Sequence, residues 1–299
     1  MEPLAQIISL ARPSGLVWKQ LEASGSWAIR FPANNGVVFN YVMEGSCLFG
    51  IDGTYTRLEQ GDFLMLVRPP VWTLGSEASC EPIDYVPGHH AVTRLEQGVG
   101  PVTTTAGGRF VLEEMNSSLL FELLPPQTLL RASAGNPGLL GAILDLLGRE
   151  ARSKRPGQSF ALERLMELLL VEVIRNPQAF AQPCDSGLLQ GLADPQLAKA
   201  IDAMHADMAR RWSVAELASR AGMSRSGFAA HFSAAVGSTP IDYLARLRMA
   251  LAKRALRDGR RLAEVAELVG YQSVSAFSTA FTKAAGCPPS VFALGAVDR

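Results

Sequence analysis

Two stretches decide the fold. One is Leu217-Ala218-Ser219-Arg220-Ala221-Gly222-Met223-Ser224, leading to Phe228 and Phe232; the other is Val265-Ala266-Glu267-Leu268-Val269-Gly270-Tyr271-Gln272-Ser273, leading to Phe277 and Phe281. Leu217, Ala218 and Gly222 recur 48 residues later as Val265, Ala266 and Gly270. Ser224, Phe228, Phe232, Gly237, Pro240 and Tyr243 recur 49 later as Ser273, Phe277, Phe281, Gly286, Pro289 and Phe292. The shift of one residue falls in the second turn. Self-similarity at a fixed spacing marks a duplicated supersecondary unit.

Each copy has the chemistry of a helix, a tight turn and a second helix. Ala218 and Ala266 are small enough for two helices to cross closely. Gly222 and Gly270 then end the first helix, where a left-handed backbone is cheap for glycine. Ser224 and Ser273 are N-caps for the next helix. Phe228/Phe232 and Phe277/Phe281 stand at i,i+4, so each pair anchors one helical face in a core. At 100° per residue the opposite faces are Ser226, Ala229, Ala230 and Ser233 in copy one, and Ser275, Ser278, Thr279 and Thr282 in copy two. Such faces are shaped to enter successive major grooves of DNA.

Between the copies, Ile241 to Arg257 reads as a helix carrying Arg246, Arg248, Lys253, Arg254 and Arg257. Seventeen helical residues span about 25 Å, which sets the two units at a separation suited to one turn of duplex, about 34 Å. The formal net charge of zero hides an asymmetry: residues 1–193 hold 14 Lys/Arg against 19 Asp/Glu, residues 194–299 hold 14 against 9. The basic half is the half with the repeat, as a polyanion partner requires. A single helical hairpin with an Ala…Gly pair also occurs in proteins that never meet DNA. The doubling, the basic helix and the charge together favour DNA.

Outward from the repeat, the front half reads as strands from about Ser26 to Met115. Val37-Val38-Phe39-Asn40-Tyr41-Val42 and Ser46-Cys47-Leu48-Phe49-Gly50-Ile51 are followed by an Asp52-Gly53 hairpin turn. Gly61-Asp62 turns into Phe63-Leu64-Met65-Leu66-Val67, which Pro69-Pro70 ends. Short strands with frequent turns predict a jelly-roll barrel or sandwich. Helical spacing follows, in Leu139, Leu140, Ile143, Leu144 and Leu147 and in Leu162, Leu165, Met166, Leu169 and Val173. Arg155-Pro156-Gly157 breaks the two. The expected organisation is an α+β chain of two domains: a barrel with a helical pair over residues 1–176, the helices at about 138–175; a linker over 177–193; and an all-α domain over 194–299, opened by Asp194 as N-cap and Pro195 at the first helical position.

The repeat resembles the AraC/XylS family of transcription regulators. The resemblance runs from Trp212 through Leu217-Ala218, Gly222-Met223-Ser224, Phe228, Phe232, Gly237, Pro240 and Tyr243. It continues through Arg248-Met249, Ala252, Leu256, Val265-Ala266, Val269-Gly270-Tyr271, Ser273, Phe277-Ser278, Phe281, Gly286, Pro289 and Phe292. Gly61-Asp62-Phe63-Leu64-Met65-Leu66 and the Leu188-to-Pro195 segment resemble the branch with a cupin-type sensor domain. The family is cationic at several positions where this chain has Ala230, Ser233, Thr279, Thr282 and Ala293. The resemblance therefore implies base readout by hydroxyls, apolar contact and DNA shape, with Arg225, the arginines of the connecting helix (Arg246, Arg248, Arg254 and Arg257) and Lys283 holding phosphate. His231 is expected to be a packing residue.

Cupins often bind a metal through His and Glu. Here the corresponding slots read Phe39-Asn40-Tyr41, Glu44 and Trp72, and His89 and His90 are adjacent, so in a strand they point to opposite faces. Metal catalysis, a nucleophile elbow and a P-loop are not expected, nor is any cofactor. What remains is a pocket for a small effector, with Phe39, Tyr41, Phe49, Arg68 and Trp72 as candidate lining. The full expectation is a cytoplasmic, homodimeric regulator, an activator that works with promoter DNA, RNA polymerase and a small molecule, and not an enzyme. Two alternatives stand beside it: thiol sensing at Cys47 or Cys80, and a cupin enzyme with a helical appendage. The scattered cysteines fit reduced thiols, the N-terminus lacks the pattern of a secretory signal, and no apolar run is long enough to cross a bilayer.

Overall fold

The computed structural model describes residues 2–11, 13–86, 92–112, 121, 124–132, 138–153, 155–176 and 187–294. The chain divides into two units, Pro13–Leu112 with Leu124–Pro183, and Cys184–Arg299 with Met1–Arg12 and Glu113–Leu123. The front unit is β-rich and the back unit is helical, in agreement with the α+β expectation.

Eleven strands among the described residues build the front unit: β1 (Pro13–Gly25), β2 (Ala28–Phe31), β3 (Val37–Glu44), β4 (Ser46–Ile51), β5 (Thr54–Glu59), β6 (Phe63–Val67), β7 (Trp72–Gly75), β8 (Ile83–Asp84), β9 (Val92–Gln97), β10 (Val102–Leu112) and β11 (Gln127–Leu130). They form a six-stranded sheet in the order β11-β6-β3-β10-β1-β9 and a five-stranded sheet in the order β5-β4-β7-β2-β8. Asp52 and Gly53, both at positive φ (48° and 76°), make the β4–β5 hairpin turn that the sequence pair predicts. The inner faces of both sheets meet in one core that includes Leu21, Trp27, Val38, Val42, Phe49, Leu64, Leu66, Trp72 and Leu74. Asp62 locks one end of it. Its buried carboxylate accepts from the backbone N–H groups of Glu59 and Ala132, each at 2.9 Å, and from the Arg131 guanidinium at 2.6 Å.

Strand parity decides what faces what. On β3, Val38 and Val42 point into the inter-sheet core, so Phe39 and Tyr41 point the other way. The Phe39 ring lies 5.8, 5.9 and 5.4 Å from those of Trp18, Phe63 and Phe110. Over this outer face lies a helical hairpin, α2 (Gly138–Ser153) and α3 (Gln158–Arg175), broken where Gly157 takes φ 83°. Gly148 lets α2 approach: a Cβ there would sit 2.9 Å from the Trp18 ring. Burial and the nearby carboxylate of Asp145 on α2 raise the Tyr41 phenol above its ordinary pKa.

The back unit comprises α1 (Pro3–Ala11), α4 (Leu188–Ala193), α5 (Pro195–Ala206), α6 (Val214–Ala221), α7 (Arg225–Val236), α8 (Pro240–Arg257), α9 (Leu262–Leu268), α10 (Val274–Ala285) and α11 (Pro289–Leu294). Two features depart from the sequence expectation. Residues 3–11, expected in the front domain, form a helix that packs on α5 and α8 and buries Ile7, Ile8 and Leu10. Its apolar residues find their partners at the far end of the chain, which a local pattern cannot reveal. Of the expected linker, 177–186 lie outside the described residues, and Leu188–Ala193 is helix. Gly187 N–H donates to the Ala235 carbonyl at 2.7 Å, and a Cβ on Gly191 would meet Val236 and Ile201. That half of the segment is part of the helical core.

Candidate nucleic-acid interface and cavity

The first helix-turn-helix is α6 and α7. Ser213 and Glu216 form a reciprocal capping box at the start of α6, and Gly222 ends it in the left-handed region at φ 69°. Ser224 caps α7 by accepting from Gly227 N–H. Phe228 and Phe232 are fully buried, their rings 5.6 Å apart. The second unit, α9 and α10, repeats this with Gly270 at φ 79°, Ser273 accepting from Ala276 N–H, and Phe277 and Phe281 buried 5.5 Å apart. The extra residue of the second turn is accommodated by Tyr271, whose ring meets Phe277 edge-on at 5.7 Å.

Away from those anchors, Arg225, Ser226 and Ala230 of α7 are exposed, and Ala229 and Ser233 half-buried. On α10, Ser275, Thr279 and Lys283 are exposed, and Ser278 and Thr282 half-buried. Two hydroxyls already donate along the helix: Thr279 Oγ1 to the Ser275 carbonyl at 3.1 Å, and Thr282 Oγ1 to the Ser278 carbonyl at 2.7 Å. Each oxygen is left as an acceptor, so toward a base edge these threonines can take a hydrogen from an exocyclic amine or offer a methyl group. His231 pairs with the N-cap carboxylate of α5, Nε2 to Asp194 Oδ2 at 2.7 Å, and ties α7 to α5 as a packing residue would.

Arg248 requires a correction. Expected on phosphate, its guanidinium is half-buried and donates to the carbonyls of Met208, Ala209 and Arg210 at 2.6, 3.3 and 2.7 Å. The loop it holds also touches the second turn, for a Cβ on Gly270 would collide with the Ala209 carbonyl. Arg248 therefore braces one helix-turn-helix against the other. The other cations of α8 are also engaged within the unit. Arg246 donates to Ser238, Arg254 donates to Ser9 of α1 at 2.9 Å, and Arg257 lies over the Phe292 ring at 5.5 Å. Burial lowers the Lys253 pKa. The basic helix is chiefly a structural rod. The exposed cations among the described residues of this unit lie elsewhere, at Lys199, Arg210, Arg211, Arg220, Arg225, Arg260, Arg261 and Lys283.

In the front unit a cavity of about 300 Å³ opens between the sheets. Of the five residues expected to line it, Phe39 and Trp72 do and Tyr41, Phe49 and Arg68 do not. Phe39 only borders it, since its ring belongs to the outer layer. Tyr41 lies under α2 by the same parity. Phe49 is core, packed 6.1 Å from Trp72, and Arg68 is exposed at φ 50° where the chain leaves β6. The sequence reading missed Asn40, Lys19, Arg109, Phe31 and Tyr85 in the wall. Asn40 had a signal: a lone Asn in an apolar strand is rare enough to mark a special position.

Cys47 is buried, and burial pushes its thiol up to about 12, opposite to what a sensing thiolate needs. Cys80 is half-buried with its sulfur 3.4 Å from Ser76 Oγ. His89 and His90 lie outside the described residues, and among those described no cluster of three or more His, Cys, Asp or Glu could hold a metal ion. None of the described helices is long and apolar enough to cross a membrane.

Residues 2–177 match the family model described as Cupin, and residues 217–294 the one described as Helix-turn-helix domain. A putative AraC-like transcription regulator of Streptomyces lividans is 36% identical over 297 residues, 97% of each chain. Its counterpart in Streptomyces antibioticus is 35% identical over 297 residues, again 97% of each. Among solved structures, ToxT from Vibrio cholerae O395 aligns over 95% of this chain and 98% of its own, at 12% identity and a TM-score of 0.38. With relatives this similar over nearly its whole length, the chain belongs to the AraC-like transcription regulators, a cupin domain followed by a helix-turn-helix domain.

Proposed function

We propose that this regulator reads promoter DNA with α7 and α10 in two successive major grooves, and that a small molecule in the front cavity changes its affinity for that DNA. The observation that carries the reading is the pair of exposed faces, Ser226 with Ala230 and Ser275 with Thr279. Each is presented by a helix whose opposite side is fixed by a buried Phe pair. Ser226, Ser275, Ser278, Thr279 and Thr282 contact base edges, Ala229, Ala230 and Ser233 sit against the groove, and Arg225 and Lys283 hold phosphate. The chain acts in the cytoplasm without enzymatic activity, as a homodimer that recruits RNA polymerase. The exposed Leu139, Leu146, Phe160 and Leu168 of α2 and α3 supply the apolar surface for pairing.

A ligand controls such a protein only by binding one conformational state more tightly than another. The test is selection of sites from a random duplex pool with the full-length chain, followed by affinity measurements across salt. The expected result is an enriched site with two half-motifs about 10 bp apart, and an affinity that weakens steadily with salt. No enriched sequence, or affinity indifferent to salt, would overturn it. A monomer in sedimentation at micromolar concentration, with and without DNA, would remove the dimer.

A further inference from the structure

The cavity holds an arrangement that neither the aromatic wall nor the core requires. Strands β1, β10 and β3 are neighbours, and their register pairs Lys19 with Gly107 and Gly107 with Asn40. These three positions form one row across the sheet. Lys19 and Asn40 stand on the two outer strands, about 10 Å apart, with no side chain between them. Arg109 lies two residues along β10 from Gly107, so it shares the same face. All four line the cavity, and among the described residues no Asp or Glu does.

The gap over Gly107 is specific. A Cβ there would press on the Asn40 amide nitrogen at 3.3 Å and on the Phe39 carbonyl at 3.2 Å. Asn40 is only 4% exposed, and its side chain makes one hydrogen bond among the described residues, a long one from Nδ2 to Thr105 Oγ1 at 3.3 Å. Its Oδ1 is buried with no partner among the described residues. A buried polar atom left unsatisfied costs stability, and such atoms are rare in folded proteins. The Asn40 amide nitrogen is the atom beside the gap; it spends one hydrogen on Thr105 and keeps a second for a group placed over Gly107. Two cations and an amide N–H then surround one small opening. Much of the rest of the wall is apolar and aromatic, with Leu21, Ile29, the stacked pair Phe31 and Trp72, 4.1 Å apart, and Tyr85 beside Phe31; Gln20, Asn34, Thr93 and Thr105 are its uncharged polar members.

We infer that the cavity binds a small organic acid, its carboxylate over Gly107 held by Lys19, Arg109 and Asn40, and its apolar body against Phe31, Trp72 and Leu21. The inference rests on the reading of this cavity as the effector pocket and names the class of molecule that pocket takes. Charge-assisted hydrogen bonds from a guanidinium and an ammonium are the strong contacts in such a site. The apolar walls exclude a polyol or a free inorganic anion, neither of which has a body to bury.

The test uses the full-length chain with four probes, octanoate and 4-phenylbutyrate against octan-1-ol and 4-phenylbutan-1-ol. Binding is read as a rise in melting temperature and as a change in tryptophan fluorescence. The acids should bind at least tenfold more tightly than the matched alcohols. Arg109→Met and Lys19→Met should each remove most of that preference while leaving the alcohols' affinity where it was. Gly107→Val should abolish binding of both classes. Because Gly107→Val could disturb the sheet, the two Met variants, whose side chains keep the volume, carry the conclusion. Alcohols binding as tightly as acids would overturn the proposal, as would an acid preference that survives both Met variants, or no binding by any of the four. Acids that bind as expected but leave DNA affinity unchanged would support the site and count instead against its role as effector pocket.

Discussion

The two helix-turn-helix units share a design and differ in how their turns are held. In the first, Gly222 closes α6 in open space, with nothing within 4 Å of where a Cβ would be. In the second, Gly270 closes α9 against the Ala209 carbonyl of the loop before α6, and Arg248 clamps the same loop from the other side. The same residue at the same place in the repeat thus does two jobs. One glycine supplies a backbone conformation, and the other supplies that conformation and a contact that fixes the second unit on the first. A duplicated sequence motif need not be a duplicated structural role.

The largest expected effect follows from that difference. Gly270→Ala combines the left-handed penalty of about 1–2 kcal/mol with an overpacking cost of about 1–3 kcal/mol against backbone that cannot yield. Gly222→Ala carries only the first. Urea unfolding of the helical unit should show Gly270→Ala losing roughly twice as much stability or more. Equal losses would mean that the two turns are equivalent after all.

Acid sharpens the comparison between the helical unit and the barrel. His205 on α5 is buried with Nδ1 2.7 Å from Gln6 of α1 and Nε2 2.6 Å from Tyr243 of α8. Burial lowers its pKa to about 4, against an ordinary 6.5. Within that window the unfolded chain binds a proton that the folded one refuses. Stability therefore falls as pH drops from 6.5 to 4, by about 3 kcal/mol in full. A His205→Gln variant should start less stable and lose this slope. Glu216, held near 2 by the capping hydrogen bonds, adds its own loss once pH falls through its ordinary 4.5, so the slope between pH 6.5 and about 5 is the part that reports His205. A wild-type helical transition with the same midpoint at pH 6.5 and pH 4 would contradict the buried, neutral imidazole.

Third in size is the pair Arg248 and Arg225, which the sequence groups together and the structure separates. Arg248→Met removes hydrogen bonds from a half-exposed charged donor to backbone carbonyls, about 1.5–3 kcal/mol for the group as a whole because water replaces part of them, and should lower the melting temperature. Arg225→Ala, at the exposed start of α7, should leave it in place and weaken DNA binding uniformly across sequences. Its salt slope should shrink by about one contact. If both variants behaved alike, the structural assignment of Arg248 would be wrong.

What the sequence made legible follows the same divide. In the helical half, caps, glycine turns and i,i+4 Phe pairs are local rules, and Ser213, Asp194, Ser224, Ser273 and the four Phe residues stand where those rules put them. What was not legible there depended on distant partners: α1 folding onto α5 and α8, and the α8 cations turning inward to Ser9, Ser238 and the Met208–Arg210 carbonyls. In the barrel, the strands around Val37–Val67 and their turns were readable. The parity of β3 was not, because a run such as Val37-Val38-Phe39-Asn40-Tyr41-Val42, buried almost throughout, carries no alternation from which to choose a face. Once register is known, a one-residue shift exchanges Phe39 and Tyr41 for Val38 and Asn40, and the cavity is assigned to different side chains.

The smallest expected effect tests that exchange directly. Tyr41→Phe removes one hydroxyl beneath α2, outside the cavity, and should leave ligand affinity unchanged, with stability shifted by no more than about 0.5 kcal/mol. Asn40→Leu, one residue away, fills the same sheet with an apolar side chain of similar size and removes the amide beside Gly107. It should abolish preference for an acid over its alcohol while keeping the fold, since an unsatisfied buried group is lost along with its partner's weak bond. A Tyr41→Phe variant that loses ligand while Asn40→Leu retains it would reverse the facing of β3, and with it the whole assignment of inner and outer surfaces of the six-stranded sheet.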